Sequence, residues 1–408
     1  MEIKRLPKLC TTELCTGCEA CYNACPTDAL SMRVDENGFL HPHIDVNSCV
    51  NCYACERACF VLEGGCVKDN SPEPEVYACW NKDADVREDS SSGGAFTAIA
   101  EAVIDMGGYV VGAAYDADMS VSHTIVNRKE DIIILRGSKY VQSRIGDVVK
   151  QTQKLLSDGS IVLFVGTPCQ IAGLRKYLGR EYENLYCCDF ICHGVPSPKL
   201  FRSYLDEVEA RHNVKVNRFN FRSKKHGWYD ALRVANDSII MRGSEDSYFY
   251  GFNTNISLRE SCYNCPAIGL PRYGDITLAD FWGLGMLYEF SEADVNKGVS
   301  LVMANNAKGQ MLIERASTYM YKQRRSLKEA LYRNKPMITP SPRNQQRDRY
   351  YEHCNDNSYS SARETYLQPS RKSKLVALMR EYVPFWLMAT IRSILQKIIW
   401  IKNGRKTL

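Results

Sequence analysis

Apolar residues return every three or four positions in GGAFTAIAEAVIDMG (93–107), DVVKQTQKLLSDG (147–159), TPCQIAGLRKYLG (167–179) and PKLFRSYLDEVEARHN (198–213), the period of a half-buried helix. Between them lie YVVGAAYD (109–116) and SHTIVNR (122–128), which are β-like, and the short apolar runs SIVLFVG (160–166) and NLYCCDFICHG (184–194), which predict buried strands. Pro168 just inside the third helix and Gly179 just past it mark its two ends. Strand alternating with helix predicts an α/β body with parallel pairing. Residues 216–310 are richer in β-like segments, and from about Ser341 to Ser373 the chain turns polar. The first 68 residues show no long helical period, and the polar stretch KDNSPEPE (68–75) sets them apart. The pattern divides the chain into a small domain (1–68), a body in two parts (75–180 and 181–340), and a polar linker with a helical tail (341–408). The expected class is α+β for the first domain and α/β for the body.

Two cysteine strings dominate the small domain: Cys15-x2-Cys18-x2-Cys21-x3-Cys25-Pro26 and Cys49-x2-Cys52-x2-Cys55-x3-Cys59. This is the run that holds bacterial [4Fe-4S] clusters, the fourth cysteine of each string serving the other cluster. Cys15, Cys18, Cys21 and Cys59 are therefore expected on one cluster, and Cys49, Cys52, Cys55 and Cys25 on the second. Tight spacing lets the chain wrap a cubane corner by corner, and the exchanged ligand ties the two halves into one core. Phe60 stands where the first string has Pro26, a departure that touches no ligand. A zinc ribbon would need C-x2-C pairs set further apart, which these strings do not offer. Residues 1–68 thus read as a two-cluster ferredoxin-like domain, an electron wire that performs no bond chemistry by itself.

Composition adds the compartment. Eighteen cysteines would suit a disulfide framework only in an oxidising setting, but MEIKRLPKLCTTELC carries no apolar signal-peptide core. No run of about 18 apolar residues is present to span a bilayer. A reducing, cytoplasmic setting with metal-bound thiolates is expected. The 408 residues are 45% hydrophobic, enough for two or three domains. The net charge of +5 is unevenly placed: from Pro369 onward there are nine Lys/Arg and one Glu, leaving the rest near −3. The body therefore offers no nucleic-acid surface. In PFWLMATIRSILQKIIWI (384–401), Leu387, Ile391, Ile394, Leu395, Ile398 and Ile401 share one helical face, flanked by Trp386, Trp400 and basic residues. That fits a helix lying at a membrane surface, peripheral on the inner face; a helix docked on the protein's own core or a partner is the alternative.

The body holds several chemical candidates. Ser90-Ser91-Ser92-Gly93-Gly94 precedes a helix, so it suits either an anion at free N–H groups or a plain serine cap. Gly166-Thr167-Pro168-Cys169-Gln170 places Cys169 at a strand-to-helix turn, where a thiolate is favoured. Cys192-His193-Gly194 ends the next strand and could approach Cys169 if the two strands are parallel neighbours. With Cys262-x2-Cys265-Pro266 this makes four candidate ligands for one further [4Fe-4S] cluster, against buried thiols plus a structural metal pair. Lys224, Lys225 and His226 could bind an anionic substrate or act as an acid, or form only an exposed basic turn. Cys187 and Cys188 read as core thiols pointing to opposite faces, and Cys10, Cys66, Cys79 and Cys354 as free thiols. Asp275 and Asp280 read as strand anchors.

GTPCQIAGLRKYLG, CHGVPSPKLF, FRSKKHGW, CYNCPAIGLPRYGDITLADFWG, SSGGAFTAIA and GSKYVQS together resemble the coenzyme F420 hydrogenase/dehydrogenase beta-subunit family, over roughly residues 1–310. The resemblance implies iron–sulfur clusters coupled to bound FAD. It places Ser92, Gly93, Gly94, Thr97, Lys139, Tyr140, Gln142 and Thr167 at the flavin, and Cys169, Cys192, Cys262 and Cys265 on a body cluster. Lys225 and His226 become the candidate catalytic pair. A ferredoxin or similar redox donor is the expected partner. Members with a fused ferredoxin are often associated with surface-polysaccharide biosynthesis, so an organic acceptor in that setting is expected. The rival is an electron-transfer subunit without a substrate of its own.

Overall fold

The computed structural model describes residues 5–62, 70–229, 231–241 and 246–369, together with Ile394. Cys66, the KDNSPEPE linker up to 69, and the rest of the tail helix expected at 384–401 lie outside the described residues. Among the described residues no helix is long and apolar enough to cross a membrane.

The ferredoxin-like domain is built twice over. Each cysteine string runs into a one-turn helix, Ala20–Asn23 and Ala54–Arg57, entered from a residue with positive φ (Glu19, 57°; Tyr53, 59°) and left at an alanine in the right-handed region. Between them β1 (Leu30–Val34) and β2 (Leu40–Ile44) form an antiparallel hairpin.

The body is a mixed α/β fold around a large sheet. Its strands are β3 (Glu75–Asn81), β4 (Tyr109–Tyr115), β5 (Val121–Val126), β6 (Val162–Gly166), β7 (Leu185–Phe190), β8 (Phe219–Ser223), β9 (Leu232–Ala235), β10 (Ile239–Met241), β11 (Ile276–Asp280), β12 (Ser300–Ala304) and β13 (Met320–Arg325). Eight of them make one sheet in the order β13-β3-β12-β11-β7-β6-β4-β5. The parallel pairs are β4/β6, β6/β7 and β7/β11, and antiparallel strands flank this block on both sides. Parallel strands are covered on both faces, so side chains alternate between two cores. Val110, Leu163 and Cys188 face the helices Ala95–Asp105 and Ala307–Ala316. Val111, Phe164 and Cys187 face Val148–Ser157, Pro168–Leu178 and Phe60 of the ferredoxin. The two adjacent cysteines thus enter opposite cores.

The remaining strands, β8 to β10, form a small antiparallel sheet packed on the helix Pro198–His212. Tyr350, Tyr351, Tyr359, Ala362 and Leu367 are buried in that same core. The stretch after Ser341 is therefore not a linker: residues Arg347–Asp356 and Tyr359–Tyr366 are helices whose tyrosines supply the apolar face. A polar average hid them, because each tyrosine contributes a large ring with one hydroxyl at its edge.

Buried polar contacts fasten the ferredoxin to the body. The Glu19 carboxylate, 1% exposed, accepts N–H bonds from Ile145 (2.9 Å) and Gly146 (3.2 Å). Asn23 donates to the Gly146 carbonyl (2.9 Å), and Gln142 donates to that of Thr16 (3.1 Å).

Candidate redox site

In the ferredoxin, Cys15, Cys18, Cys21 and Cys59 lie within mutual electrostatic reach, as do Cys25, Cys52 and Cys55. The cysteine that ends each string is thus beside those that begin the other. Cys49 stands in the adjoining loop, its sulfur 3.8 Å from Asn51 Oδ1. Burial pushes the Cys18 thiol up to about 12 and Cys21 well above its usual value. Burial acts the same way on Cys15, but His41 and Arg259 outweigh it and hold that thiol below normal. Cys10 is a free thiol, as expected, but it has a defined place. Its side chain meets Cys59 and lines the small hollow among Cys15, Cys18, Cys21 and Cys59, so it is not an isolated thiol.

A cavity of about 1360 Å³ opens at the carboxyl ends of β6, β7 and β11, where open α/β sheets place their ligands. Cys169, Cys192, Cys262 and Cys265 all line it. Each is brought there by local structure. Thr167 caps the helix Pro168–Leu178 in a capping box with Gln170, which sets Cys169 in its first turn, 3.1 Å from Thr167 Oγ1. Cys192 follows β7, and the parallel β6/β7 pairing carries it towards Cys169. The short helix Glu260–Asn264 and the residue after it present Cys262 and Cys265. Burial, reinforced by the neighbouring thiols, pushes Cys169 to about 11, Cys262 to about 12 and Cys192 well above normal.

Cys169, Cys192 and Cys262, each disfavoured as a free thiolate by burial and by the neighbouring thiols' charge, are with Cys265 the kind of donors a bound cation would deprotonate. Among the described residues no three His, Cys, Asp or Glu side chains converge on a point that would hold a single metal ion.

Of the flavin candidates, Ser92, Gly94, Lys139, Tyr140, Gln142 and Thr167 line the cavity. Gly93 and Thr97 stand behind its wall. Gly93 donates to Ser300 Oγ (3.0 Å) and is packed against the Cys79 carbonyl; Thr97 is 1% exposed and accepts from Arg136 (3.3 Å). Gln142 is committed elsewhere: besides Thr16 it accepts from Arg259 (3.0 Å). Lys139 reaches the carbonyls of Leu135, Arg136 and Gly137 at 3.1–3.3 Å, and burial pushes its ammonium down to about 7. Tyr140 packs on Phe221, Phe249 and Phe252.

The expected catalytic pair is split. His226 lines the cavity, but Lys225 does not; its amine lies on the exposed turn and donates to the Asp237 carbonyl (3.2 Å). The preceding residue is the buried one. Lys224 donates to the carbonyls of Arg87, Ser92 (2.8 Å) and Lys297 (2.9 Å), and burial pushes it down to about 8. It fastens the Ser92 loop rather than facing a ligand.

Much of the wall is not visible in the sequence. Trp228 and Trp282 stack 4.8 Å apart, Arg222 lies 5.0 Å over the Trp282 ring, and Asp280 holds both Trp228 Nε1 (2.7 Å) and Arg222 (3.2 Å). Asp280 is thus a wall residue, whereas Asp275 is the anchor expected, bonded to Cys187 N (2.6 Å), Arg175 (3.0 Å) and Asn306 (2.7 Å). FRSKKHGW and DFWG carry the signal, but nothing in their spacing says they meet.

Doubled cysteine strings fused to a cysteine-lined α/β cavity define an iron–sulfur electron-transfer protein. Residues 14–61 match the 4Fe-4S dicluster domain. Two further family models, the amino-terminal and carboxy-terminal parts of the coenzyme F420 hydrogenase/dehydrogenase beta subunit, match residues 76–150 and 159–329. The chain belongs to the coenzyme F420 hydrogenase/dehydrogenase beta-subunit family, with a [4Fe-4S]-binding ferredoxin in front. A polyferredoxin-like protein of Methanocaldococcus jannaschii is 36% identical over 66 residues, covering 14% of this chain and 39% of that one. A ferredoxin of the same organism is 43% identical over 47 residues, 12% of this chain and 60% of that relative. The match therefore spans less than two thirds of either relative's own length. In the F420-reducing [NiFe] hydrogenase complex from Methanosarcina barkeri, one chain is 15% identical with a TM-score of 0.44, covering 72% of this chain and 92% of its own.

Proposed function

We propose that this protein is an iron–sulfur flavoprotein oxidoreductase that takes electrons from a ferredoxin-like donor, carries them through three [4Fe-4S] clusters to FAD, and reduces an organic acceptor. The observation that carries the reading is the shared cavity. Cys169, Cys192, Cys262 and Cys265 stand in its wall with Ser92, Gly94, Lys139, Tyr140 and Thr167, so a cluster and a flavin would be neighbours. Cys18 of the ferredoxin is within electrostatic reach of Cys169, which supports a direct path from one cluster to the next. An isoalloxazine supplies the step from one-electron to two-electron transfer.

The chain's own groups bind and orient. The helix Ala95–Asp105 starts at Gly94 (φ 86°), facing free N–H groups toward the Ser90–Ser92 loop, a favourable end for a diphosphate. Arg222 and Trp282, backed by the buried Trp228, offer a flat, cationic wall to a ring. The cavity exceeds the roughly 300–1,000 Å³ of ordinary ligand sites, leaving room for an acceptor beside the cofactor. His226 is the proton-carrying group we assign to that acceptor; Lys225 has no such part. Surface-polysaccharide biosynthesis is the setting suggested by family members with a fused ferredoxin.

Acid extraction of anaerobically purified protein tests this: released FAD near one per chain is expected, and none would sink the reading.

A second reading, an electron-transfer subunit feeding a partner enzyme, is favoured by Ile133 and Ile134. They are 54% and 49% exposed beside the cavity residues Leu135 and Arg136. Flavin reduction without turnover of any small acceptor, restored by a co-purifying protein, would select it. Contact of residues 384–401 with a membrane surface belongs to either reading. Equal partition of full-length and 1–383 protein onto anionic vesicles would remove it.

A further inference from the structure

Arg259 is a buried cation with no carboxylate bonded to it among the described residues. Its side chain is 1% exposed, and all of its hydrogen bonds go to neutral acceptors. Nε donates to the Cys15 carbonyl (2.7 Å), one terminal nitrogen to Gln142 Oε1 (3.0 Å), and the other to the Leu40 carbonyl (2.9 Å), with His41 at 3.3 Å. Asp35 feels its charge from beyond the His41 ring, 3.1 Å from that ring, and is not hydrogen-bonded to it. The Phe39 ring covers the guanidinium at 5.3 Å. Gly17 lets it approach, since a Cβ there would fall 2.9 Å from one guanidinium nitrogen and 2.4 Å from Gln142 Nε2.

Hydrogen bonds satisfy the donors but leave the charge. A guanidinium keeps that charge at any pH, and burying one without an anion is unfavourable in a folded protein. The residues around it show where the anion belongs. Arg259 touches Cys15 directly, and its own carbonyl accepts the N–H of Cys262 (3.0 Å). Its side chain thus holds the chain at the ligand Cys15, while its backbone opens the turn that presents Cys262 and Cys265. It therefore sits between the first ferredoxin cluster site and the body cluster site. Among the described residues none of its hydrogen bonds reaches Cys25, Cys49, Cys52 or Cys55 of the second ferredoxin site.

We propose that Arg259 is a shared counter-ion for two clusters, the one on Cys15, Cys18, Cys21 and Cys59 and the one on Cys169, Cys192, Cys262 and Cys265. The inference rests on the three-cluster reading above. Each cluster gains one negative charge when it takes an electron. A fixed cation in a low-dielectric gap between them favours both reduced states and weakens their mutual repulsion. Electrons can then be held on adjacent centres instead of being forced off one by the other. Arg259 is a positioning and tuning residue; it contacts no substrate.

Redox titration of the anaerobic holoprotein, followed by electron paramagnetic resonance, tests it. In wild type, iron content and three reducible signals establish the clusters; two signals would defeat the three-cluster reading and the shared role with it, whereas three signals with unmoved potentials would defeat the counter-ion alone. In Arg259→Met, the reduced-to-oxidised ratio at fixed potential should fall at least tenfold, about 59 mV, for the Cys15 cluster and the body cluster. The Cys49 cluster should not move. Gln142→Leu breaks the same docking bond but keeps the charge, so all three potentials should hold. Arg259→Lys keeps a charge with shorter reach: the Cys15 cluster should fall and the body cluster stay, and this variant decides the matter if Arg259→Met does not take up iron. Unchanged potentials, equal shifts in all three clusters, or the same shift in Gln142→Leu would overturn the proposal.

Discussion

The sulfur of Cys18 lies against the bare backbone of Gly173: a Cβ at that glycine would come 2.9 Å from Sγ and 3.0 Å from the Cys18 Cβ. Glycine inside a helix is unfavourable by roughly 0.5–1 kcal/mol relative to alanine. Here the helix Pro168–Leu178 accepts that penalty so that the ferredoxin can dock on it, with Cys169 at its start and Cys18 across from its middle. Gly173→Ala should therefore lose roughly 1–3 kcal/mol through overpacking instead of gaining stability. Anaerobic thermal melts measure this, and electron transfer from the ferredoxin to the body should slow. A melting temperature above wild type would show that the contact is loose.

On the proposed three-cluster reading, replacing Cys262 and Cys265 together by serine should remove the body cluster. Iron per chain should fall by about one third while the ferredoxin signals remain. Unchanged iron would mean that these thiols hold no cluster.

Lys224 gives a pH dependence with a definite sign. Its ammonium matches three protons to the carbonyls of Arg87, Ser92 and Lys297, so it is charged at neutral pH although burial pushes it from 10.5 to about 8. Above pH 8 and up to about 10.5 the unfolded chain binds this proton more tightly than the folded one. Stability from this residue therefore rises with pH across that window, and the full penalty applies below it. Lys224→Met should abolish that rise. At pH 7 it should also cost about 1–3 kcal/mol, because three buried carbonyls lose their donor. Denaturation at pH 7 and pH 10 compares the two. A wild-type stability that falls over the same window, with Lys224→Met following it, would refute the assignment.

What the sequence revealed divides along local and non-local lines. The doubled cysteine strings, the helix opened by Pro168 and closed by Gly179, and the opposite faces of Cys187 and Cys188 are each set by residues a few positions apart. Spacing therefore exposes them. The guanidinium of Arg259 bonding Cys15, 244 positions away, or the Trp228 ring stacking on Trp282, depends on how the sheet brings distant loops together. Lys224 and Lys225 illustrate the limit: the turn was visible, but which of two adjacent amines is buried was not. The tyrosines at 350, 351 and 359 show the opposite failure, in which averaging polarity over a stretch concealed a core-facing stripe.

Asp280 tests the tryptophan-lined wall of the cavity. Its carboxylate accepts from Trp228 Nε1 and pairs with Arg222, a guanidinium that is 8% exposed and stacked on Trp282. Remove the carboxylate and Arg222 is left buried and unpaired, the costly case for an ion pair, about 3–5 kcal/mol for a fully buried one and less here because Asp280 is partly exposed. Asp280→Asn keeps an acceptor for the indole and removes only the charge, so it should destabilise less than Asp280→Ala. Both should disturb the stacked tryptophans, seen as a change in tryptophan fluorescence. If Arg222 and the stack form the flat wall for a ring, released flavin per chain should fall in the order wild type, Asp280→Asn, Asp280→Ala, with iron per chain unchanged. Full flavin retention in an Asp280→Ala protein whose tryptophan signal has shifted would place the ring elsewhere in the cavity. It would leave the Arg222 wall to the acceptor.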